Sequence, residues 1–203
     1  MKEELRKLVG ANEKILYEGK PNKRCFIFEG IFNPLLPFAI IWAIIDFGII
    51  GGSLIAGPGK EFLFFIIPFM LLHLMPVWLY LGGALLTIKR YKNTEYIVTD
   101  YAVYTSHGII TKQFDTKPFS ELSHVNLHRG LFDQMFNVGD IILTTNQLSG
   151  QNQAQAIKIE SIANYVEVFN LVNKLQKDIY TDVMYPNDKR PNENHGYNTE
   201  YKG

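Results

Sequence analysis

Cysteine is nearly missing from this chain: Cys25 stands alone in 203 residues. That excludes an intramolecular disulfide and leaves no partner for a Cys-rich zinc site. Net charge is missing too, with Lys+Arg 20 against Asp+Glu 20 and a sequence pI of about 7.0. The basic footprint of a nucleic-acid binder is therefore absent, and no nucleic acid is expected as a partner. There is no phosphate-cradling loop, because Gly51, Gly52, Gly57 and Gly59 lack a following Lys-Ser or Lys-Thr. A catalytic set is not visible either. Ser53, His73 and Asp46 supply the residue types of a triad, but Ser53 lies about 10 Å along a helix axis from Asp46. His124 and His128 are spread too far on a strand to hold a metal by themselves and read as solvent-exposed. No enzyme activity, catalytic residue, cofactor or metal is expected.

What the chain does have is unevenly distributed. The mean hydropathy of -0.02 is that of an ordinary soluble domain, yet the apolar residues gather in two long runs. Leu35 to Gly57 reads LLPFAIIWAIIDFGIIGGSLIAG with Asp46 as its only charge, and as a helix it spans about 34 Å. Phe62 to Leu86 carries no formal charge and one His, for about 37 Å before any kink. Pro58, Gly59, Lys60 and Glu61 lie between them, a polar turn short enough to join antiparallel helices. The pattern predicts a two-helix transmembrane hairpin over 35–87, after an N-terminal segment over 1–34. The alternative is a helical pair in a soluble core. A cleaved signal peptide fits poorly, because the first 34 residues are polar and each run exceeds a signal h-region.

Orientation follows from Lys and Arg, which are retained at the cytoplasmic face. Lys60 alone sits in the turn, whereas Lys14, Lys20, Lys23, Arg24 and, beyond the second run, Lys89, Arg90 and Lys92 flank the hairpin. Both termini are expected in the cytoplasm of a multi-pass cell-membrane protein. A reducing compartment suits a single cysteine, Cys25, and Trp42, Trp78 and Tyr80 are available for the membrane boundaries.

Beyond residue 94 the pattern alternates. Tyr96–Thr99, Ala102–Thr105, Ile109–Phe114, Val125–His128, Asp140–Thr145 and Ala156–Glu160 are candidate strands. Asn146 to Gln155, rich in Gln, Asn, Ser and Gly, suits an exposed loop. Asn164 can cap a helix whose Val166, Phe169, Val172, Leu175 and Ile179 share one face and form its core side. From Thr181 to Gly203 no apolar pattern survives, which predicts a disordered tail.

Glu18-Gly19-Lys20-Pro21 ahead of the first helix, Tyr96 to Asp100, Leu122-Ser123-His124-Val125 and Asn137-Val138-Gly139-Asp140-Ile141 together resemble the bacterial membrane proteins with pleckstrin-homology-like domains. The resemblance implies a small, mainly-β domain over 88–180: a strongly bent seven-stranded sheet capped by a C-terminal helix over Tyr165 to Tyr180. In eukaryotic relatives of that family, clustered Lys and Arg around the first two strands hold a phosphoinositide. Residues 95–117 here offer Lys112 and Lys117 only, so no phosphoinositide is expected. Residues 93–180 hold six basic residues against nine acids, which disfavours generic attraction to an anionic leaflet. Protein partners, in the membrane or the cytoplasm, remain for a sheet edge or a groove beside the closing helix. The chain reads as a membrane-anchored interaction or scaffold module. The alternative is a small intramembrane proton- or ion-coupled transport component centred on Asp46 and His73.

Those two residues are the sharpest signal, because an ionisable group within a bilayer is costly. An antiparallel hairpin turning between Gly59 and Lys60 puts residues 46 and 73 at one depth. A carboxylate facing an imidazole would satisfy both groups. The competing account uses the carbonyls that Pro68 and Pro76 leave without donors, Phe64 and Leu72, as local partners for His73. Gly48, Gly52 and Ala56 form a small-residue stripe for helix packing, read first as intramolecular, with homo-oligomerisation as the alternative.

Overall fold

The computed structural model describes residues 2–55, 57, 60–149 and 153–184. It divides into two compact units: Ile27–Lys89 is one, and residues 1–26 with 90 onward form the other. The sheet unit is therefore not confined to the second half of the chain. Helix α1 (Lys2–Arg6) and strand β1 (Ile15–Gly19) come from before the apolar runs, and β1 pairs antiparallel with β2 (Glu95–Thr99). Then β3 (Ala102–His107) and β4 (Gln113–Pro118) complete a sheet of order β1-β2-β3-β4. A second sheet runs β5-β6-β7, from β5 (Leu122–His128), β6 (Gly139–Ser149) and β7 (Gln153–Ile162). Seven strands are present among the described residues, but in two sheets of four and three rather than one bent sheet.

The two sheets enclose one core. Tyr96, Val98, Val103, Phe119, Leu122, Ile141, Leu143 and Ile159 are buried in it, closed by Val168, Val172 and Ile179 of helix α7 (Tyr165–Met184). Phe169 and Leu175 pack at its margin. Val166 does not: it is 50% exposed, because the inward stripe of α7 runs 168, 172, 175, 179 and residue 166 falls on the far side of the turn. Asn164 heads α7 through its carbonyl, which accepts from Val168 N at 3.1 Å. Its side-chain oxygen takes the Tyr17 hydroxyl at 3.4 Å.

Strand β2 is buried on both faces. Its Ile97 points away from the main core, where Leu5 and Val9 cover it together with Ala102 and Tyr104. Side chains tie this N-terminal arm down. Tyr104 Oη donates to Glu13 at 2.7 Å, Thr99 Oγ1 to the other Glu13 oxygen at 2.7 Å, and Lys14 N to Asp100 at 2.9 Å.

Two expected boundaries move. Ile109 to Lys112 is a turn rather than the start of a strand, and β4 begins at Gln113. Gly108 sits at φ +128, and a Cβ there would meet the Thr111 carbonyl oxygen at 2.0 Å, so the reversal is built around a glycine. Strands β6 and β7 extend into the Asn146–Gln155 stretch, and α7 continues past Thr181. Residues 150–152 and 185–203, the rest of those expected loop and tail segments, lie outside the described residues.

In the other unit, α3 (Leu35–Ile55) is a single helix, the one among the described residues long and apolar enough by itself to cross a membrane. The second run is broken. It forms α4 (Lys60–His73) and α5 (Met75–Asn93), bent by 48° at Leu74, so two straight spans are not present. Pro76 explains the break, since it has no N–H for the Leu72 carbonyl. Helix α2 (Lys23–Ile31) leads in from the sheet unit. At Gly30 a side chain would strike Thr87 at 2.3 Å, and Tyr80 Oη donates to the Ile31 carbonyl at 2.9 Å, so α2 and α5 meet closely.

Candidate functional site

Asp46 is the only acid in its apolar run, and its side chain is fully buried. One turn earlier on α3 is Trp42, and on α4 Phe69 and His73 stand in the same one-turn relation. The structure brings the two pairs together. His73 Nδ1 lies 2.7 Å from Asp46 Oδ1, and its ring stacks on Trp42 at 5.1 Å and on Phe69 at 5.4 Å between centroids. Phe38 extends the ladder against Trp42 at 5.2 Å. The imidazole is thus held between two aromatic faces with one nitrogen on a carboxylate. Among the described residues, Asp46 Oδ2 is buried without a hydrogen-bond partner.

The tryptophans make hydrogen bonds within the unit. Trp42 Nε1 donates to the His73 carbonyl at 2.7 Å and Trp78 Nε1 to the Leu71 carbonyl at 3.1 Å. Both indoles therefore serve carbonyls at the α4–α5 break, where the regular ladder is interrupted. The carbonyls they serve are the neighbours of Leu72, while the His73 ring is turned to Asp46. Sequence reasoning missed this, although Trp42 one turn before Asp46 was the visible signal.

The small-residue stripe behaves differently from its intramolecular reading. A Cβ placed on Gly48, Gly51 or Gly52 meets nothing within 4 Å, so these glycines pack against no other helix of the described residues. Ala56 lies outside them. Ser53 is apart from the polar pair and lines an apolar cavity of ≈ 230 Å³ with Ile50, Ile67, Met70 and Leu74.

The sheet unit offers a second concave feature, a polar cavity of ≈ 190 Å³ whose lining includes Arg90, Thr94, Tyr96, Ser106, His107, Asp115, Lys158 and Glu160. Arg90 pairs with both oxygens of Glu160 at 3.0 and 2.8 Å, and Lys158 holds Asp140 at 2.8 Å. Burial first, and then the Glu160 charge, pushes the Tyr96 phenol well above the usual tyrosine range. Its oxygen accepts from Glu160 N at 2.9 Å. Below the cavity, Asp140 Oδ1 accepts from Ser161 N at 2.7 Å, and the Ser161 carbonyl accepts from Asn22 N at 2.7 Å. These bonds hold Ser161 in the left-handed region at φ 51.

His124 and His128 are exposed on β5. His128, Asp133 and Asp140 offer ligand atoms within 4.8 Å of one another. Those carboxylates already serve Lys158, Ser161 N and Gly130 N. The cavity and these carboxylates therefore do structural work, joining strand ends rather than presenting an uncommitted charge. Lys112, one of the two cations within residues 95–117, lies in the β3–β4 turn and is paired with Glu4, and that pairing holds the exposed Glu4 carboxyl below its usual range.

No curated protein and no solved structure matches the chain. A family model described as Bacterial PH domain matches residues 35–176, from the start of α3 into α7. With that match covering the greater part of its length and a two-sheet core closed by one helix beneath it, the chain belongs to the bacterial PH domain family.

Proposed function

We propose that the chain is a membrane-anchored interaction module: a PH-like domain at the cytoplasmic face, held there by the 27–89 unit and binding protein partners. One observation carries the anchoring. The apolar side chains of this unit face outward, with only 11% of the α3 window buried, whereas a soluble core helix buries its apolar surface. Ile44, Phe64, Phe65, Leu72, Leu79 and Leu85 are all exposed, an apolar surface far beyond what water tolerates on a monomer.

Connectivity supports a double crossing. Residues 1–26 and 90–184 fold into one body, with β1 and β2 paired. A chain that leaves and re-enters the same body crosses a bilayer an even number of times, so α3 requires a return, and the bent α4–α5 pair supplies the length. Lys23, Arg24, Lys89, Arg90 and Lys92 at the two junctions favour the cytoplasmic side. Two tethers keep the domain at the surface, where weak contacts gain effective concentration.

Recognition is assigned to β4, one of the two outer strands of its sheet, whose residues 113–116 are exposed. The proposal gives the chain no reaction, cofactor or phosphoinositide ligand. The test is purification of the full chain from native membranes in mild detergent, beside a Phe114→Lys/Thr116→Lys variant. A stoichiometric protein retained by the wild type and lost by the variant is expected. No protein partner, or equal recovery from both, overturns recognition through β4.

A second reading, a proton- or ion-coupled component, draws on the partnerless Asp46 Oδ2. Proton flux into vesicles containing the purified chain, abolished by Asp46→Asn, would favour it. No flux above protein-free vesicles removes it.

A further inference from the structure

We infer that the end of the sheet unit where the chain departs at Phe26 and re-enters at Arg90 rests on the bilayer, with Ile110, Leu131 and Met135 seated at the base of the headgroup layer. The inference depends on the membrane reading above and adds to it a lipid-contacting surface on the folded domain.

Within the sheet unit, two apolar tips are fastened to the junction residues. The first is the β3–β4 turn. Asn93, within one helical turn of Arg90, donates from Nδ2 to the Gly108 carbonyl at 3.1 Å and accepts from Ser106 Oγ at 2.8 Å. The turn so held presents Ile110, 87% exposed. The second is helix α6 (Leu131–Phe136). Its buried Asp133 accepts from Gly130 N at 2.8 Å and receives the Cys25 thiol at 3.6 Å, and Cys25 is two residues before the chain leaves the unit at Ile27. From α6 project Leu131, 79% exposed, and Met135, 60% exposed. They are one turn apart and so share a face.

Large apolar side chains exposed on fixed turns call for a partner. The partner closest by connectivity is the medium that the 27–89 unit requires. Cations accompany the tips: Lys23, Arg24 and Lys92 are exposed near the junctions, suited to lipid phosphates. The acids at this end are engaged or outlying. Glu160 is paired with Arg90, and Asp115 lies 3.5 Å from His107. The net negative charge of the domain opposes adsorption of a free domain to anionic lipid, but a tethered one needs only local complementarity. Three apolar side chains and a few cations meet the interfacial requirement.

The experiment uses the full chain in vesicles of phosphatidylcholine and phosphatidylglycerol, carrying one environment-sensitive thiol label at a time. Ile110→Cys, Leu131→Cys and Met135→Cys report the surface. Ser120→Cys, beside the β2–β3 turn at the other end of the strands, is the reference, and Leu72→Cys in α4 reports insertion. The unsubstituted chain, with buried Cys25, gives the background. Quenching by lipids carrying a nitroxide near the headgroup should be several-fold stronger at 110, 131 and 135 than at 120. Because the vesicles hold no other protein, lipid alone can cause it. Quenching at these positions equal to that at 120, with 72 strongly quenched, overturns the inference and leaves the anchoring intact. If 72 is unquenched as well, the membrane reading falls, and this surface with it.

Discussion

The two units of this protein are turned inside out with respect to each other. In the sheet unit Val98, Ile141, Leu143 and Val172 are fully buried. In the 27–89 unit most bulky apolar residues face outward, with Met70 and Leu74 buried, and a carboxylate, Asp46, occupies the interior. On the membrane reading proposed above, the sheet unit is organised by water and the other by an apolar medium, where the groups needing shelter are polar. The chain passes between the two units twice, through α2 and through α5.

The sharpest way to break that comparison is to truncate one leucine in each unit. Leu143→Ala should destabilise the sheet unit by about 2–5 kcal/mol in urea unfolding followed by near-UV circular dichroism, as a core cavity does. Leu72→Ala, at a side chain 77% exposed, should change stability by no more than about 0.5 kcal/mol. Similar losses at both positions would mean that α4 is a core helix after all.

The inverted interior is probed next by Asp46→Asn and His73→Gln, singly and together. Contact at 2.7 Å predicts non-additive losses, with a coupling of about 0.5–3 kcal/mol in lipid-vesicle unfolding. Additive losses would dissolve the pair.

In the sheet unit, the Tyr104 phenol is pushed up to about 12, by burial first and then by its hydrogen bond to Glu13. An unfolded tyrosine titrates near about 10. The stability this contributes is complete below that lower value and is lost as pH rises through the upper one. Tyr104→Phe should flatten the alkaline fall in melting temperature across this window and cost about 1–2 kcal/mol at neutral pH. An unchanged alkaline slope would show that the N-terminal arm is not held by this contact. The smallest effect belongs to Trp78→Phe, which removes one donor from the α4–α5 break for about 0.5–1.5 kcal/mol. Helix content should be preserved and the break loosened, visible as faster amide exchange around Leu71. Unchanged exchange would show that the indole does not cap the break.

How far each unit could be read from its sequence follows the same divide. In the apolar runs composition and spacing suffice: Asp46 and His73 are conspicuous because no other acid, base or imidazole is there, and hairpin symmetry puts them level. The break at Leu74 was less legible, since a proline in an apolar helix kinks it by an amount set by its neighbours. In the sheet unit the closing helix was readable from period alone, but Val168 displaced Val166 because three- and four-residue steps admit two adjacent stripes. The N-terminal arm was missed. Leu5, Leu8 and Val9 have helical spacing and Ile15 to Gly19 is a short apolar run, yet their partners lie some eighty residues away, and local pattern carries no information about such distant pairing. The division into two sheets was likewise a tertiary fact.

The central claim is that 27–89 crosses a bilayer twice and returns to the body it left. Its most direct test is the reaction of single cysteines with a membrane-impermeant maleimide in right-side-out and inverted membrane vesicles, using Lys14→Cys, Lys60→Cys and Ser120→Cys. The account predicts that 14 and 120 react only in inverted vesicles and 60 only in right-side-out ones. Reaction of all three from the same face would contradict it.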